Sequence, residues 1–334
     1  MVEVSFPGLG VDTFQLNPVA FEVFGLEVRW YGIFITLGML AAFAYAFYRS
    51  KQEQFSADNL MDMGLYMIVF GVIGARLYYV LTSLDHYIKP GRSAWEDFLD
   101  MINIRGGGLA IYGGIIAGGL TLYFYCRATK KDWRRALDMV APGVMIAQAM
   151  GRWGNFFNGE AHGGIVTEGH PLYFLRMGLY PNDLHTSSMA YVHPTFLYES
   201  LWNILGFVLI NAFLYKRKKF NGQILLTYIA WYGFGRMFIE GLRTDSLYVG
   251  PFRISQVIGG LCFLVGTGLI VYMLTRVKQQ KVKGEYTPVF ANLAQQDEEE
   301  AADECQSTEA IGEDITENDK EENQSEDKND GNID

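Results

Sequence analysis

Seven apolar stretches of about twenty residues recur along the chain, and each is long enough, at ~1.5 Å per residue, to cross a ~30 Å hydrocarbon core as a helix. They are 30–48, 61–83, 106–126, 139–157, 195–215, 224–242 and 254–274. Hydrocarbon offers no partner to a backbone N–H or C=O, so such segments pair their own backbone and become helices. The linkers then orient them. Arg49 and Lys51 follow the first stretch, RATKKDWRRALD the third, Lys216–Lys219 the fifth, and Arg276, Lys278, Lys281 and Lys283 the seventh. Alternating crossings bring all of these to one side, which the positive-inside rule makes cytoplasmic. The expected fold class is all-α: a polytopic membrane protein with seven transmembrane helices, N-terminus outside and C-terminus cytoplasmic.

Charge divides the chain further. Residues 297–334 hold 17 Asp/Glu and two Lys, whereas the rest carries 25 Lys+Arg against 20 Asp/Glu, so the formal net charge of −10 belongs to the tail. A segment so acidic and so poor in aromatic or branched residues is expected to stay disordered. The expected division is an extracytoplasmic segment 1–29, a transmembrane domain 30–276 with a small extracytoplasmic cap around 159–193, and a cytoplasmic acidic tail 277–334. Cys126, Cys262 and Cys305 fit no metal spacing, and no disulfide framework is expected. The start, MVEVSFPGLGVDTF, has neither a basic n-region nor an apolar h-region, so no cleavable signal peptide is read.

The fourth stretch ends in GRWGNFFNGEAHGG, Gly151–Gly164, which crowds Arg152, Asn155, Asn158, Glu160 and His162 together. A charged side chain inside a membrane helix costs at least ~2.5 kcal/mol and marks a site when several gather. Arg76, Arg152 and Arg236 lie 15, 13 and 12 residues beyond the inner starts of their stretches, hence ~18–22 Å in and at one depth. Arginine suits forked hydrogen bonding to phosphate or carboxylate. Arg236, Glu240 and Arg243 share one helix face with Tyr232. Pairing Glu240 with one arginine leaves the others unmatched, an excess that calls for an anionic ligand. Tyr31 and Tyr112 fall in the outer third of their stretches. His162, His170, His185 and His193 show neither HxH nor HExxH spacing, so no metal site is expected. No GxSxG, Walker loop or dinucleotide fingerprint is present.

These motifs resemble the prolipoprotein diacylglyceryl transferase family. GRWGNFFNGEAHGG matches its signature, and RWYG at Arg29, GARLYYV at Gly74, GGLAIYGG at Gly107, HPTFLYES at His193 and YGFGRMFIEGLR at Tyr232 follow in order. The resemblance implies a multi-pass enzyme of the bacterial cytoplasmic membrane with its active site toward the outer leaflet. It would move the diacylglyceryl group of phosphatidylglycerol onto the lipobox cysteine of a preprolipoprotein and release glycerol 1-phosphate, with no cofactor, metal or nucleic-acid partner. The family's essential residues map onto Tyr31, Arg152, Asn155, Glu160, Gly163, Arg236 and Glu240, with Tyr232 alongside. Many relatives carry a histidine, cast as the base, where this chain has Tyr112. A phenol ionises near pH ~10 and is a poor base at neutrality, so either Tyr112 positions the lipid or another group takes the thiol proton. Arg152 and Arg236, with Arg76, are assigned to the phosphate, Asn155 and Tyr31 to headgroup oxygens, and Glu160 and Glu240 to orienting arginines or accepting the proton. His162 is expected to hydrogen-bond within the site, Gly163 to shape it, and Arg243 to join the ligand-binding set. The rival reading is a transporter or binding protein for anionic lipids, against which stands the lack of a charged ring in the inner halves of the spans. A lipid hydrolase would need a triad that is not recognisable here.

Overall fold

A computed structural model of the chain describes residues 2–88, 91–104, 107–180, 189–244 and 248–290. Contacts divide the chain into a unit Met1–Gly284 and a second unit Glu285–Asp334. His185, Cys305 and the acidic run 297–334 lie outside the described residues.

The first unit is mostly helical. Four strands, β1 (Val2–Phe6), β2 (Val11–Leu16), β3 (Val19–Val23) and β4 (Leu26–Arg29), precede α1 (Trp30–Ser50) and α2 (Ala57–Thr82). Then come the short α3 (Leu84–Tyr87) and α4 (Ala94–Ile102), α5 (Ile111–Ala128) and α6 (Trp133–Asn158). Strands β5 (Met177–Tyr180) and β6 (Ala190–Val192) lead into α7 (Thr195–Leu209), which continues through a π turn, Ile210–Leu214. Helix α8 (Gln223–Leu242), the hairpin β7 (Tyr248–Val249) and β8 (Phe252–Arg253), and α9 (Ile254–Val282) complete the unit. Each apolar stretch coincides with a long helix. Among the described residues four segments, Trp30–Glu53, Ala57–Thr82, Thr195–Arg217 and Ile254–Val282, are long and apolar enough to cross a membrane.

Local chemistry sets the helix ends. The Ser56 hydroxyl accepts from Asn59 N–H at the start of α2, Ser93 and Glu96 form a capping box on α4, and Asp132 caps α6. Helix α5 begins five residues later than expected because Gly107 and Gly108 adopt positive φ (87° and 75°). The principal pairings are α1 with α6, α2 with α5, and α8 with α9. At the α2–α5 crossing a Cβ on Gly113 would lie 2.9 Å from the Gly74 carbonyl carbon, so only glycine admits this approach.

The all-α expectation needs correcting at the N-terminus and in the loop after α6. Strands β2, β1, β5 and β6 form one antiparallel sheet, in that order, joining the first sixteen residues to the 159–193 loop. Its inward residues, Val4, Leu16, Met177, Leu179 and Val192, pack on Phe156 and Phe196 at the facing ends of α6 and α7. Strands of three to six residues are short, and β1 and β5 bury successive residues, so they carry little of the alternation that identifies a strand from sequence. This end of the molecule is the cap end.

At the opposite, basic end lies a buried ion cluster. Lys218 Nζ sits 2.5 Å from Glu53 Oε1 and 3.1 Å from Asp138 Oδ2, and all three side chains are closed to solvent. Asp138 also accepts from Gly222 and Leu225 N–H, and the Tyr215 hydroxyl donates to Glu53. Arg49, stacked on Tyr215, bonds Asn211 and Gln52. The end of α1, the first turns of α6, the segment after α7 and the start of α8 are thereby tied together. Glu53, Asp138 and Lys218 all lie just outside the apolar stretches read from the sequence, so one lysine of the basic exit run is consumed in a buried cluster at their border.

Candidate functional site

The signature segment folds as its residue types require. Helix α6 carries Arg152 and Asn155 one turn apart, so the Asn155 side-chain Oδ1 accepts from Arg152 Nη1 at 3.2 Å. Gly159 closes the helix in the left-handed region (φ 68°), and its N–H returns to the carbonyls of Asn155 and Phe156. That reversal brings Glu160 back over the helix end. Its Oε1 accepts from the amides of Asn155 (3.0 Å) and Asn158 (3.2 Å). Asn155 therefore links a guanidinium to a carboxylate that remains exposed to solvent.

The next residues are held as an extended strip. Gly163 N–H donates to His193 O (2.9 Å), Gly164 N–H to Leu242 O (2.8 Å), and the Thr195 hydroxyl to Ala161 O (2.5 Å). A Cβ on Gly163 would lie 2.7 Å from His193 Cβ and 2.9 Å from Leu242 O, so the strip passes between the start of α7 and the end of α8 only as glycine. His162 is buried, with Nδ1 3.0 Å from Gly163 O, and its own carbonyl accepts from the Thr244 hydroxyl at 3.4 Å. His170 and His193 meet edge to face with ring centroids 5.0 Å apart. Burial and then the neighbouring His170 hold His193 below the usual imidazole range.

Beneath the strip lies the charge centre. Glu199 of α7, 3% exposed, takes Arg152 Nε on Oε2 and Arg236 Nη1 on Oε1, each at 2.5 Å. Arg243 Nη1 stands 3.7 Å from the same Oε1, and Arg236 Nη2 reaches Glu240 Oε2 at 2.6 Å. Tyr232 lies against Arg152, Arg236 and Glu199. Among the described residues three guanidinium groups face two buried carboxylates. The arginine excess expected from the sequence is accordingly smaller, since Glu199 takes a second and a third guanidinium besides the one that Glu240 pairs.

Arg152, Arg236, Arg243, Glu240, Tyr232, Asn155, Glu160, His162 and Gly163 thus gather at one end of α6, α7 and α8. Tyr31 stands at the start of α1, where its ring and backbone pack against Gly154 of α6. Arg76 behaves otherwise than a phosphate ligand would. Its guanidinium donates to the carbonyls of Asp100 (2.8 Å), Met101 (2.7 Å), Gly107 (2.9 Å) and Gly108 (2.9 Å), which fastens the last turn of α4 and the glycine segment before α5 to α2. Tyr112 is 49% exposed and its ring neighbour is Tyr78, on the α2–α5 pair. Glu199 was not singled out in the sequence, although it is the sole Asp or Glu in 195–215, and a lone carboxylate in an apolar span is itself a signal.

An arginine cluster beside an exposed carboxylate has the chemistry to hold a phosphate or carboxylate ligand next to a proton acceptor. Residues 18–272 match the family model described as prolipoprotein diacylglyceryl transferase. The chain is 44% identical over 270 residues to the phosphatidylglycerol–prolipoprotein diacylglyceryl transferase 1 of Clostridium perfringens, covering 80% of this chain and 98% of that protein. The similarly named proteins of Clostridium kluyveri (40% over 268 residues; 79% and 99% covered) and Clostridium novyi (44% over 261 residues; 77% and 95% covered) match equally broadly. The chain belongs to the prolipoprotein diacylglyceryl transferase family.

Proposed function

We infer that this protein transfers the diacylglyceryl group of phosphatidylglycerol to a cysteine of a prolipoprotein, the first step of lipoprotein maturation. The observation that carries the reading is the Arg152–Glu199–Arg236 centre, a preorganised and nearly dry anion site at the end of three helices, in a chain of this family. The acceptor is the lipobox cysteine of the signal peptide, and no nucleic acid takes part. The chain crosses the bacterial cytoplasmic membrane seven times with its N-terminus outside. The cap end then faces the outer leaflet, the basic end the cytoplasm, and the division into segment 1–29, membrane domain 30–276 and tail 277–334 follows.

In the reaction a cysteine sulfur attacks the glycerol carbon that bears the phosphate. A C–S bond forms, the C–O bond breaks, glycerol 1-phosphate leaves with the electron pair, and the thiol proton passes to a base. Arg152 and Arg236 hold the phosphate and stabilise the charge that develops on it, and fixed charges aimed at a leaving group are the main source of rate enhancement in such a site. Arg243 adds to the field, and Tyr232 and Tyr31 border the headgroup. Glu199 and Glu240 are occupied by guanidinium groups and serve to orient them. Glu160, exposed and joined to Arg152 through Asn155, is the carboxylate free to take the proton, while Tyr112 lines the lipid's path along α5.

Purified protein incubated with phosphatidylglycerol and a lipobox peptide is expected to yield a diacylglyceryl thioether by mass spectrometry, absent when the peptide cysteine is serine. Arg152→Ala or Arg236→Ala is expected to abolish it in protein that still folds. Bound phosphatidylglycerol without adduct would overturn the transferase reading in favour of lipid binding or transport.

A further inference from the structure

The β3–β4 hairpin takes no part in the sheet or in the site, and its shape is unusual. Val23 pairs with Leu26, which leaves Phe24 and Gly25 as a two-residue turn. Both have positive φ, 49° and 77°, the signature of a type I′ turn. Such turns favour Asn-Gly, and a bulky side chain in the left-handed region is an outlier. Phe24 is nevertheless placed there and is fully exposed, at 101%.

The two faces of the hairpin differ. Successive side chains alternate across a strand, and the register sets Phe21 opposite Val28 and Val23 opposite Leu26 on one face. Phe21 is 52% and Leu26 73% exposed, so this apolar face meets little of the chain. On the other face Glu22 lies directly opposite Glu27, with Arg29 3.1 Å from the latter. Like charges directly opposite destabilise a hairpin unless water screens them, so that face belongs in water. The hairpin is also tethered at one height. Trp30 N–H donates to Pro18 O at 3.0 Å, and α1, a segment long and apolar enough to cross a membrane, begins at the residue after β4. Strands of four and five residues reach about 15 Å at ~3.3 Å per residue, so the tip stays near the point where α1 enters the bilayer.

We propose that the β3–β4 hairpin is an interfacial membrane anchor that sets Phe21, Phe24 and Leu26 among the lipids of the leaflet at the cap end. Its ligand is the lipid surface. The strained aromatic tip supplies apolar bulk where a better turn former would supply none, and Glu22 and Glu27 keep the opposite face in water. Because β4 runs directly into Trp30 and Tyr31, the anchor also fixes the depth at which Tyr31 meets a lipid headgroup. The proposal rests on the membrane-crossing reading of α1, which the test examines separately.

The test is spin-label accessibility in the full chain, with Cys126, Cys262 and Cys305 replaced by alanine and the protein reconstituted in vesicles of phosphatidylglycerol and phosphatidylethanolamine. Single nitroxides are placed by Glu22→Cys, Phe24→Cys, Leu26→Cys and, as the membrane control on α1, Leu40→Cys. Labels at 24 and 26 are expected to favour collision with oxygen over a water-soluble nickel chelate, as at 40, and the label at 22 to show the reverse. Nickel accessibility at 24 and 26 equal to that at 22, with 40 still oxygen-dominated, would overturn the anchor and leave the crossing of α1 intact. Dipolar broadening at 24 would overturn it in favour of a contact between two copies. A label at 40 open to the nickel chelate would overturn the membrane reading itself. Phe24→Asn suits the turn and keeps the hairpin folded, so in that background the oxygen preference at 26 is expected to fall toward the value at 22. An unchanged preference would refute a role for the aromatic tip.

Discussion

Glu199→Gln isolates the contribution of the buried bridge between the two arginines. The substitution keeps the shape of the side chain and removes its charge, so Arg152 and Arg236 each lose a charge-assisted contact of 2.5 Å while Arg236 keeps Glu240. The net charge of the buried set then rises by one. Removing one partner of a buried ion pair costs ~3–5 kcal/mol. Glutamine can still accept one hydrogen bond, so the lower end applies, and a loss of ~3 kcal/mol in positioning corresponds to about 100-fold in rate. Ground-state attraction for an anionic lipid grows with the added charge, so KM for phosphatidylglycerol should hold or fall while kcat drops. The assay is thioether formation by mass spectrometry across a range of phosphatidylglycerol concentrations. A Glu199→Gln enzyme with wild-type kcat, or one whose only change is a higher KM, would refute the bridge as the element that positions the arginines.

Lys218→Met strands Glu53 and Asp138 as buried carboxylates and should cost ~3 kcal/mol or more of stability; adding Glu53→Gln and Asp138→Asn should restore much of it in detergent melts, and a single variant as stable as wild type would contradict the cluster's role. Gly163→Ala forces a Cβ to within 2.7 Å of His193 Cβ, so it should part the strip from α8 and lower the transfer rate about tenfold or more, in line with ~1.4 kcal/mol or more of lost positioning, and normal activity would show that the strip can move. Because His193 titrates below its unfolded value of ~6.5, its contribution to stability is whole above that pH and is lost as pH falls through the native pKa. Melting curves from pH ~7.5 down to ~5 should therefore show acid destabilisation that is weaker in His193→Gln, where a single protonatable group has been removed, and identical slopes would exclude His193 as the source.

Hydropathy and charge spacing located the long helices, because lipid-facing and bundle-facing residues alike must be apolar and the period hardly matters. They also singled out Arg152, Asn155, Glu160, Arg236 and Glu240, which gather at one end of α6, α7 and α8, since polar groups in apolar stretches stand out. Arg76 stood out by the same criterion yet is spent on four backbone carbonyls. Sequence registers that a guanidinium is present, and only its neighbours decide whether its donors remain for a ligand. Lys218 is the converse case. It is one of four consecutive basic residues, and Lys216, Arg217 and Lys219 are exposed while Lys218 is sealed between two carboxylates from distant helices.

Composition and order of residues by themselves determined that this chain would form long apolar helices, which ends would be basic, and which family signature it carries, because those properties are local and additive along the chain. The charge balance of the site, the pairing of β1 with β5, and the union of Glu53, Asp138 and Lys218 were settled by folding alone. Each depends on groups far apart in the chain meeting within a few ångströms, as Lys218 and Asp138 do across 80 residues and Lys218 and Glu53 across 165. Partners so remote leave no mark on the local pattern from which helices and strands are read.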